Sequence, residues 1–307
     1  MKSNFRHIGL AKLCGWLGMS RQAYYQNSWK IIDTTIAEEL VLQQVKEIRK
    51  NHRRMGTRKL YEMLQSFMLE HQIKIGRDAL FNLLSANHLL VRKRKRRIQT
   101  TNSCHWLRKY PNLIREFVPT APNQLWVSDI TYWKIKTGEH LYISFITDAY
   151  SHKIVGYQVA ETMEAIESIY ALHKALSALG AESHLNLIHH SDRGIQYCSQ
   201  AYVKLLQDKG IKISMTENGD PLENAVAERI NGIIKEEYLE TYDIDNIKEA
   251  KGLLKAVVNL YNSERPHMSI GNFTPNCIHH SKTKIKTERL WKNYYNKKTI
   301  IVNPIQD

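Results

Sequence analysis

The sequence predicts an α/β protein: a mixed sheet flanked by helices, preceded by an all-α region. Three observations lead there. Strand-like runs begin only after Asn123, helix-like periodicity dominates before it, and the net positive charge is confined to the helical part. Residues 1–118 hold 23 Lys and Arg against 8 Asp and Glu, whereas the remainder of the chain holds 21 against 22. At 307 residues the chain is about twice a typical domain, and the charge divides it into a basic module and a near-neutral one. A basic module of this kind suits a polyanion. Interleaved with compact helical patterns, and with no lipidation signal or lipid-facing stretch, it points to nucleic acid rather than a membrane surface.

The expected organisation is a helical, basic region over 1–97, a linker over 98–122, a sheet-containing core over 123–265 and a post-core segment over 266–307. In "IGLAKLCGWLGMSRQAYYQN", residues 8–27, a short helix leads to a turn at Gly18 and a second helix capped by Ser20. Arg21 and Gln22 lie in its first turn, which is helix-turn-helix grammar and makes Arg21 a candidate DNA contact. From Thr35 to about Lys50, the positions Ile36, Leu40, Val45 and Ile48 recur at helical spacing. Gly56 then breaks the pattern and Thr57 is the expected cap of the next helix. A further helix is predicted over Arg77–Ala86, with Leu80, Phe81, Leu83 and Leu84 as its apolar face. The bland alternative for the region is a small helical bundle whose basic residues are only solvated.

The run "RKRKRR" follows: Arg92, Lys93, Arg94, Lys95, Arg96 and Arg97. Adjacent like charges repel, so this run is expected to stay an open arm until it meets phosphate. Pro111, Pro119 and Pro122 then mark the boundary before the core.

Two runs rich in β-branched and aromatic residues, "LWVSDITYWKI" and "HLYISFITDAY", are joined by a turn at Thr137–Gly138, and "HKIVGYQVA" makes a third strand. A helix from about Met163 to Leu179, the short strand "LNLIHH", a helix from about Gln200 to Lys209 and the strand "IKISMT" complete the series. A three-strand meander followed by alternating helix and strand is the layout of the ribonuclease H-like fold. No run of 18 apolar residues and no amino-terminal apolar stretch marks a membrane span or signal peptide, so a cytoplasmic protein is expected. Cys14, Cys104, Cys198 and Cys277 have no metal-site spacing and are read as reduced thiols.

The chemistry sits at two strand ends and on one helix. Asp129 lies in the first strand and Asp192 at the tip of the fourth, and this connectivity allows those strands to be neighbours. Like charges brought close together are costly unless a cation lies between them. "GDPLENAVAERINGIIKEEYLE" supplies a helix, with Asp220 as cap, Pro221 at the first helical position and Glu223 completing a capping box. Along it Asn224, Glu228 and Lys235 share one face and offer an amide, a carboxylate and an ammonium to a single site, with Asn224 and Lys235 as candidate DNA contacts. His189 and His190 beside Asp192 lack paired Cys/His spacing and are read as structural, as are His267, His279 and His280.

Asp192 and Glu228 are separated by 35 residues. With that spacing, "WVSDITYW", "HHSDRGIQY" and "ENAVAERINGIIKEE" resemble the integrase catalytic core of bacterial insertion-sequence transposases, relatives of the retroviral integrases. "YNSERPHMSIGNFTP", Tyr261 to Pro275, resembles the short motif that follows this core in the family. The resemblance extends to the amino-terminal helical region.

It implies that Asp129, Asp192 and Glu228 are the catalytic, metal-binding triad. It also implies that Lys235 contacts the transposon end, and that Arg193, Gly194 and Tyr197 belong to the signature around the second aspartate, either touching DNA or shaping the loop. Oxygen-only ligands favour Mg²⁺, with Mn²⁺ as a substitute, as two ions per site. The implied reaction is hydrolysis at the element's end followed by strand transfer. A circular intermediate, a homo-oligomer that synapses two ends, and a partner or fusion made from an upstream-frame helix-turn-helix product are implied as well. Two departures from the family pattern leave the triad intact: Glu223 stands where aspartate is common, and Arg229–Ile230 where serine and an aromatic are usual. The rivals are a ribonuclease H-like nuclease that cuts without joining and a non-enzymatic DNA-binding relic of a mobile element.

Overall fold

The computed structural model describes residues 8–91, 106–179, 186–217 and 224–281, without the side chains of residue 28 and residues 30–33. The arm Arg92–Arg97, Cys104, and Asp220, Pro221 and Glu223 of the expected capping box lie outside the described residues. The chain divides into two compact units, one of residues 1–51 and 55–92, the other of residues 52–54 and 93–307.

The first unit is helical: α1 (Leu10–Trp16), α2 (Arg21–Asn51), α3 (Thr57–Glu70) and α4 (Arg77–Ala86). Gly18 takes φ +66°, a left-handed turn conformation that a side chain would resist, and the Ser20 Oγ accepts the Ala23 N–H at 3.0 Å, so the expected turn and cap are both present. Several expectations change. The helix expected from Thr35 is continuous with the one begun at Arg21, because no Gly or Pro interrupts residues 21–55. In that register Val41 and Val45 are buried, whereas Ile36 and Leu40 are exposed. Thr57 is not the cap of α3: extended Gly56 is, and the Thr57 side chain is buried. α4 spans the predicted residues, but Leu80 and Leu84 alone are fully buried on it and Phe81 is exposed. Leu60, Leu64 and Met68 of α3 complete this small core.

The second unit is a five-stranded sheet in the order β3-β2-β1-β4-β5. Its strands are β1 (Leu125–Lys134), β2 (His140–Asp148), β3 (Ile154–Ala160), β4 (Ile188–Ser191) and β5 (Lys212–Met215). β1, β2 and β3 form an antiparallel meander, and β4 adds in parallel to β1 with Ser128 opposite Ser191. Alternation along the strands buries both faces. Trp126 and Ile146 pack with α5 (Ala165–Ser177), the short α6 (Ile195–Cys198) and α7 (Gln200–Asp208). Trp133, Ile143 and Phe145 pack with α8 (Ala225–Ile233) and α9 (Ile247–Ser263). This is the ribonuclease H-like layout.

The stretch expected to be a linker is described from Trp106 onward, and there it is part of the sheet unit. The Pro111 carbonyl accepts the Met215 N–H at 3.3 Å, and the Leu113 N–H donates to Ser214 Oγ at 2.9 Å, while Ile114 and Phe117 reach the apolar cluster around Leu125. An exposed β5 edge would be a template for pairing with another chain, and this segment covers it.

The helix expected to run from Asp220 to about Glu240 is shorter and broken. α8 starts at Ala225, with Asn224 in its cap position, and from Ile234 to Tyr238 the chain forms a π-turn, then a 3₁₀ turn over Leu239–Thr241. The post-core segment packs back on the sheet. Asn262 bonds both the N–H and the C=O of Ile154 at 3.0 Å, imitating a further strand at the edge of β3. α10 (Pro275–His280) is capped by Thr274 and brings His279 Nδ1 to 2.9 Å from Ser151 Oγ. No helix among the described residues is long and apolar enough to cross a membrane.

Candidate active site

The site is built at the end of the parallel β1–β4 pair. Register pairs Ser128 with Ser191, so the residues that follow, Asp129 and Asp192, leave the pairing side by side. β4 stops there, while β1 runs on to Lys134 and presents an open edge beside the two carboxylates. Below them the sheet is locked by histidine. Ser128 Oγ and Tyr202 OH lie 2.7 and 2.9 Å from His189 Nε2, and His190 Nδ1 lies 2.8 Å from Ser214 Oγ. Burial lowers the His189 pKa to about 3, so this ring is a neutral core group.

Each aspartate is held by a protein donor. Asp129 accepts the Ile130 N–H at 2.9 Å on one oxygen and the Asn231 amide at 2.8 Å on the other. Asp192 Oδ1 accepts the Gly194 N–H at 2.9 Å, closing a tight turn. A Cβ on Gly194 would come 2.9 Å from that same oxygen, so this glycine leaves room for the carboxylate to fold back over the loop. Gly194 therefore shapes the loop.

Asp148 offers a useful contrast. It is fully buried, but its oxygens accept the Asn123 N–H at 2.7 Å and the Ser151 N–H and hydroxyl at 2.7 and 2.6 Å, which makes it a turn-closing acid.

Asp129 is electrostatically unlike an ordinary aspartate. Burial, then the Asp192 charge, raise its pKa to about 8, with Glu228 adding to the rise and the Ile130 and Asn231 hydrogen bonds opposing it. Glu228 on α8 is also raised, by burial and then by Asp192. These mutual shifts place Glu228 within electrostatic reach of both aspartates. They remain separate carboxylates, however: no group of three His, Cys, Asp or Glu side chains among the described residues is drawn together as a ready ion cage. Each aspartate is instead hydrogen-bonded within the protein, Asp129 by Ile130 and Asn231 and Asp192 by Gly194. The donor set nevertheless fits a hard divalent cation, being all oxygen and mutually repulsive. The side-chain oxygens of Asn224 and Asn231 are also buried without a hydrogen-bond partner.

A raised carboxyl pKa carries a pH signature. The folded carboxyl holds its proton more tightly than the unfolded chain does, so its contribution is fully present below the ordinary value of 3.8 and is lost as pH rises through about 8. Thermal unfolding with a chelator present is expected to show stability falling between about pH 5 and 8, less so in Asp129→Asn and in excess Mg²⁺. Identical pH profiles for the wild type and Asp129→Asn would remove Asp129 as the source.

The other expected site residues are placed as follows. Lys235 lies in the π-turn with its ammonium 3.5 Å from the centre of the Tyr132 ring. Tyr132 lines the recess that holds Asp129 and Asp192, together with Tyr142, Gln196 and Tyr197. Asn224, expected at the DNA surface, is buried and donates to the Ser128 carbonyl at 3.1 Å, so its amide is committed to holding α8 against β1. Arg193 is half-buried in the turn after β4. Its charge helps lower the Glu217 pKa, though the Asn112 N–H and Arg115 contribute more. Arg21 is exposed in the first turn of α2. Tyr197 is buried with its hydroxyl unpaired, and its pKa is pushed up by burial, Tyr202 and the two aspartates. Asn231 was not anticipated; its position three residues after Glu228, on the same helical face, is the signal that could have found it.

A family model described as "Integrase core domain" matches residues 119–221, and a second of the same description matches residues 209–275. The chain is 36% identical over 267 residues to the "Insertion element IS600 uncharacterized 31 kDa protein" of Shigella sonnei, covering 86% of this chain and 96% of that one. It is 32% identical over 225 residues to the "Transposase for insertion sequence element IS629" of Shigella sonnei, covering 73% of each. Among solved structures, the HTLV-2 integrase catalytic core domain in complex with magnesium shares 24% identity, covering 52% of this chain and 98% of that one, with a TM-score of 0.42.

Proposed function

Because this chain belongs to the bacterial insertion-sequence transposases with an integrase core domain, we propose that it cuts and joins DNA at the ends of its own element through Asp129, Asp192 and Glu228. The observation that carries the reading is that Asp129 and Asp192 follow directly on the paired Ser128 and Ser191 at one end of the sheet, where burial and the Asp192 charge raise the Asp129 pKa to about 8. Repulsion of this kind is the signature of a site made for a cation.

Asp129, Asp192 and Glu228 would hold Mg²⁺, or Mn²⁺ in its place, as two ions. Bound there, such ions supply Lewis-acid stabilisation of charge at phosphorus and lower the pKa of the attacking hydroxyl. The rigid β1–β4 end fixes the two aspartates, and Asn231 sets the rotation of the Asp129 carboxylate. Lys235 would neutralise a strand phosphate at the mouth of the recess.

In the first step water attacks a phosphodiester at the element's end, one P–O bond forming as another breaks, and a 3′-hydroxyl leaves. In the second that hydroxyl attacks a target phosphodiester and the target's own 3′-oxygen leaves. The bond count is unchanged, so no external energy source is needed. Arg21 in the basic first unit and the basic run Arg92–Arg97 would grip DNA mainly through phosphates. A second copy is needed to hold the other end.

The test is incubation of labelled DNA carrying the element's ends with the protein and Mg²⁺. Cleaved and joined strands are expected, and both should vanish with EDTA. Cleavage without joining would favour a plain nuclease. Binding without any cut, even with the upstream-frame product added, would leave a DNA-binding relic.

A further inference from the structure

Lys235 does not stand on an α-helix. α8 ends at Ile233, and the next five residues, Ile234–Tyr238, form a π-turn. A π-turn is rarer and less favourable than the α-helix it interrupts, and it persists where surrounding contacts over-determine it. Two contacts grip this one from opposite sides. On the front, the Lys235 ammonium sits over Tyr132, a residue of the carboxylate recess. Glu237 lies two residues further on, about half a turn around the axis of a π-turn, and so faces the other way. There it meets Arg265 in a fork: Nε to Oε2 at 2.8 Å and Nη2 to Oε1 at 2.8 Å.

Arg265 is 1% exposed, and its remaining nitrogen, Nη1, lies 2.8 Å from His267 Nε2 and 3.4 Å from the Pro266 carbonyl. A buried ion pair is a weak source of net stability, since well-packed apolar residues of similar volume do as well or better. What a bidentate fork supplies is a fixed orientation. The fork also joins the Tyr261–Pro275 stretch to the helix that leads from Glu228 to Lys235, and the reaction scheme otherwise leaves that stretch without a task.

We propose that Arg265 is a positioning residue for DNA contact: its fork on Glu237 fixes the rotation of the π-turn, so that the Lys235 ammonium is held over Tyr132 at the mouth of the carboxylate recess. The proposal rests on the transposase reading for what Lys235 meets there, a strand phosphate, but not for the coupling itself.

The test uses the full chain with Arg265→Lys, which keeps the charge but cannot span both oxygens, and Glu237→Gln, which keeps the shape. Each is made with Lys235 present and with Lys235→Ala. Without DNA, the acylation rate of Lys235 read by mass spectrometry is expected to rise several-fold in both variants, as the ammonium leaves its seat. On element-end DNA, Arg265→Lys is expected to weaken binding about 10-fold, the scale of one charge-assisted contact. It should also flatten the plot of log affinity against log salt by about 0.9. Neither change should appear when Lys235 is already alanine.

Unchanged Lys235 reactivity, or losses that multiply in the double variant, would overturn the proposal. If Arg265→Lys fails to fold, Glu237→Gln carries the same comparison. A wild-type protein that neither cuts nor joins would overturn the transposase reading alone, because the reactivity of Lys235 tests the coupling without DNA.

Discussion

Asp192→Asn is expected to lose both strand cleavage and strand joining by more than about 100-fold, the scale seen when one preorganised electrostatic group is removed from an active site. In the same variant, thermal stability measured without divalent ions is expected to rise by a few degrees. The two effects have one cause. The asparagine oxygen can still accept the Gly194 N–H, so the loop after β4 keeps its shape, and what disappears is a charge. That charge is a principal reason, after burial, that the Asp129 pKa is raised, and it also raises Glu228. Removing it relieves the repulsion in the ion-free protein and removes a ligand from the loaded one. Gel analysis of labelled ends, beside a melting curve in EDTA, checks both halves. Joined product within about tenfold of wild type would mean that Asp192 is not a ligand. Full loss of activity with a lowered melting point would mean that the variant had merely damaged the fold.

The largest effect on stability is expected at Gly156 in β3. A Cβ there would stand 2.3 Å from the Ala171 carbonyl oxygen and 2.9 Å from the Ala175 Cβ, both on α5. The obstacle is backbone, so no side-chain rotation relieves it. The sheet is already irregular nearby, with a register shift between Ile146 and Thr147 opposite β3. Overpacking a core costs about 1–3 kcal/mol, and Gly156→Val should lie at the top of that range, lowering Tm by roughly 6–12 °C in a unit of this size. Calorimetry of the purified variant decides it. Melting within about a degree of wild type would show that α5 can step away from β3 without loss.

How much was legible in the chain varies residue by residue, and the physics explains the pattern. Gly18, Ser20 and the Arg77–Ala86 helix were readable because turn conformation, capping and helical period act over a few residues. The merging of two expected helices into α2 rests on an equally local fact, that no Gly or Pro stands between Arg21 and Asn51, whereas the apolar spacing was followed only from Thr35. The pairing of Asp129 with Asp192 could be anticipated because the strand order of a meander followed by helix and strand brings those two strands together.

Asn224 misled for the opposite reason. Its spacing from Glu228 assumed a helix already under way at that point, but α8 starts one residue later and the amide turns to the Ser128 carbonyl.

Local signals in the chain therefore marked a basic helical region followed by a mixed sheet, and a strand order that lets Asp129 and Asp192 be neighbours, while the choice of those two acids with Glu228 came from the family resemblance. The helices, the strands and their order depend on periodicity and topology, which a sequence carries openly. Packing between distant segments decided the rest. Asn231 reaching Asp129, the segment before β1 covering β5, and Arg265 seizing Glu237 behind a π-turn all join residues tens of positions apart. A hydrogen bond of that kind is set by where two surfaces come to rest, and no spacing along the chain encodes it.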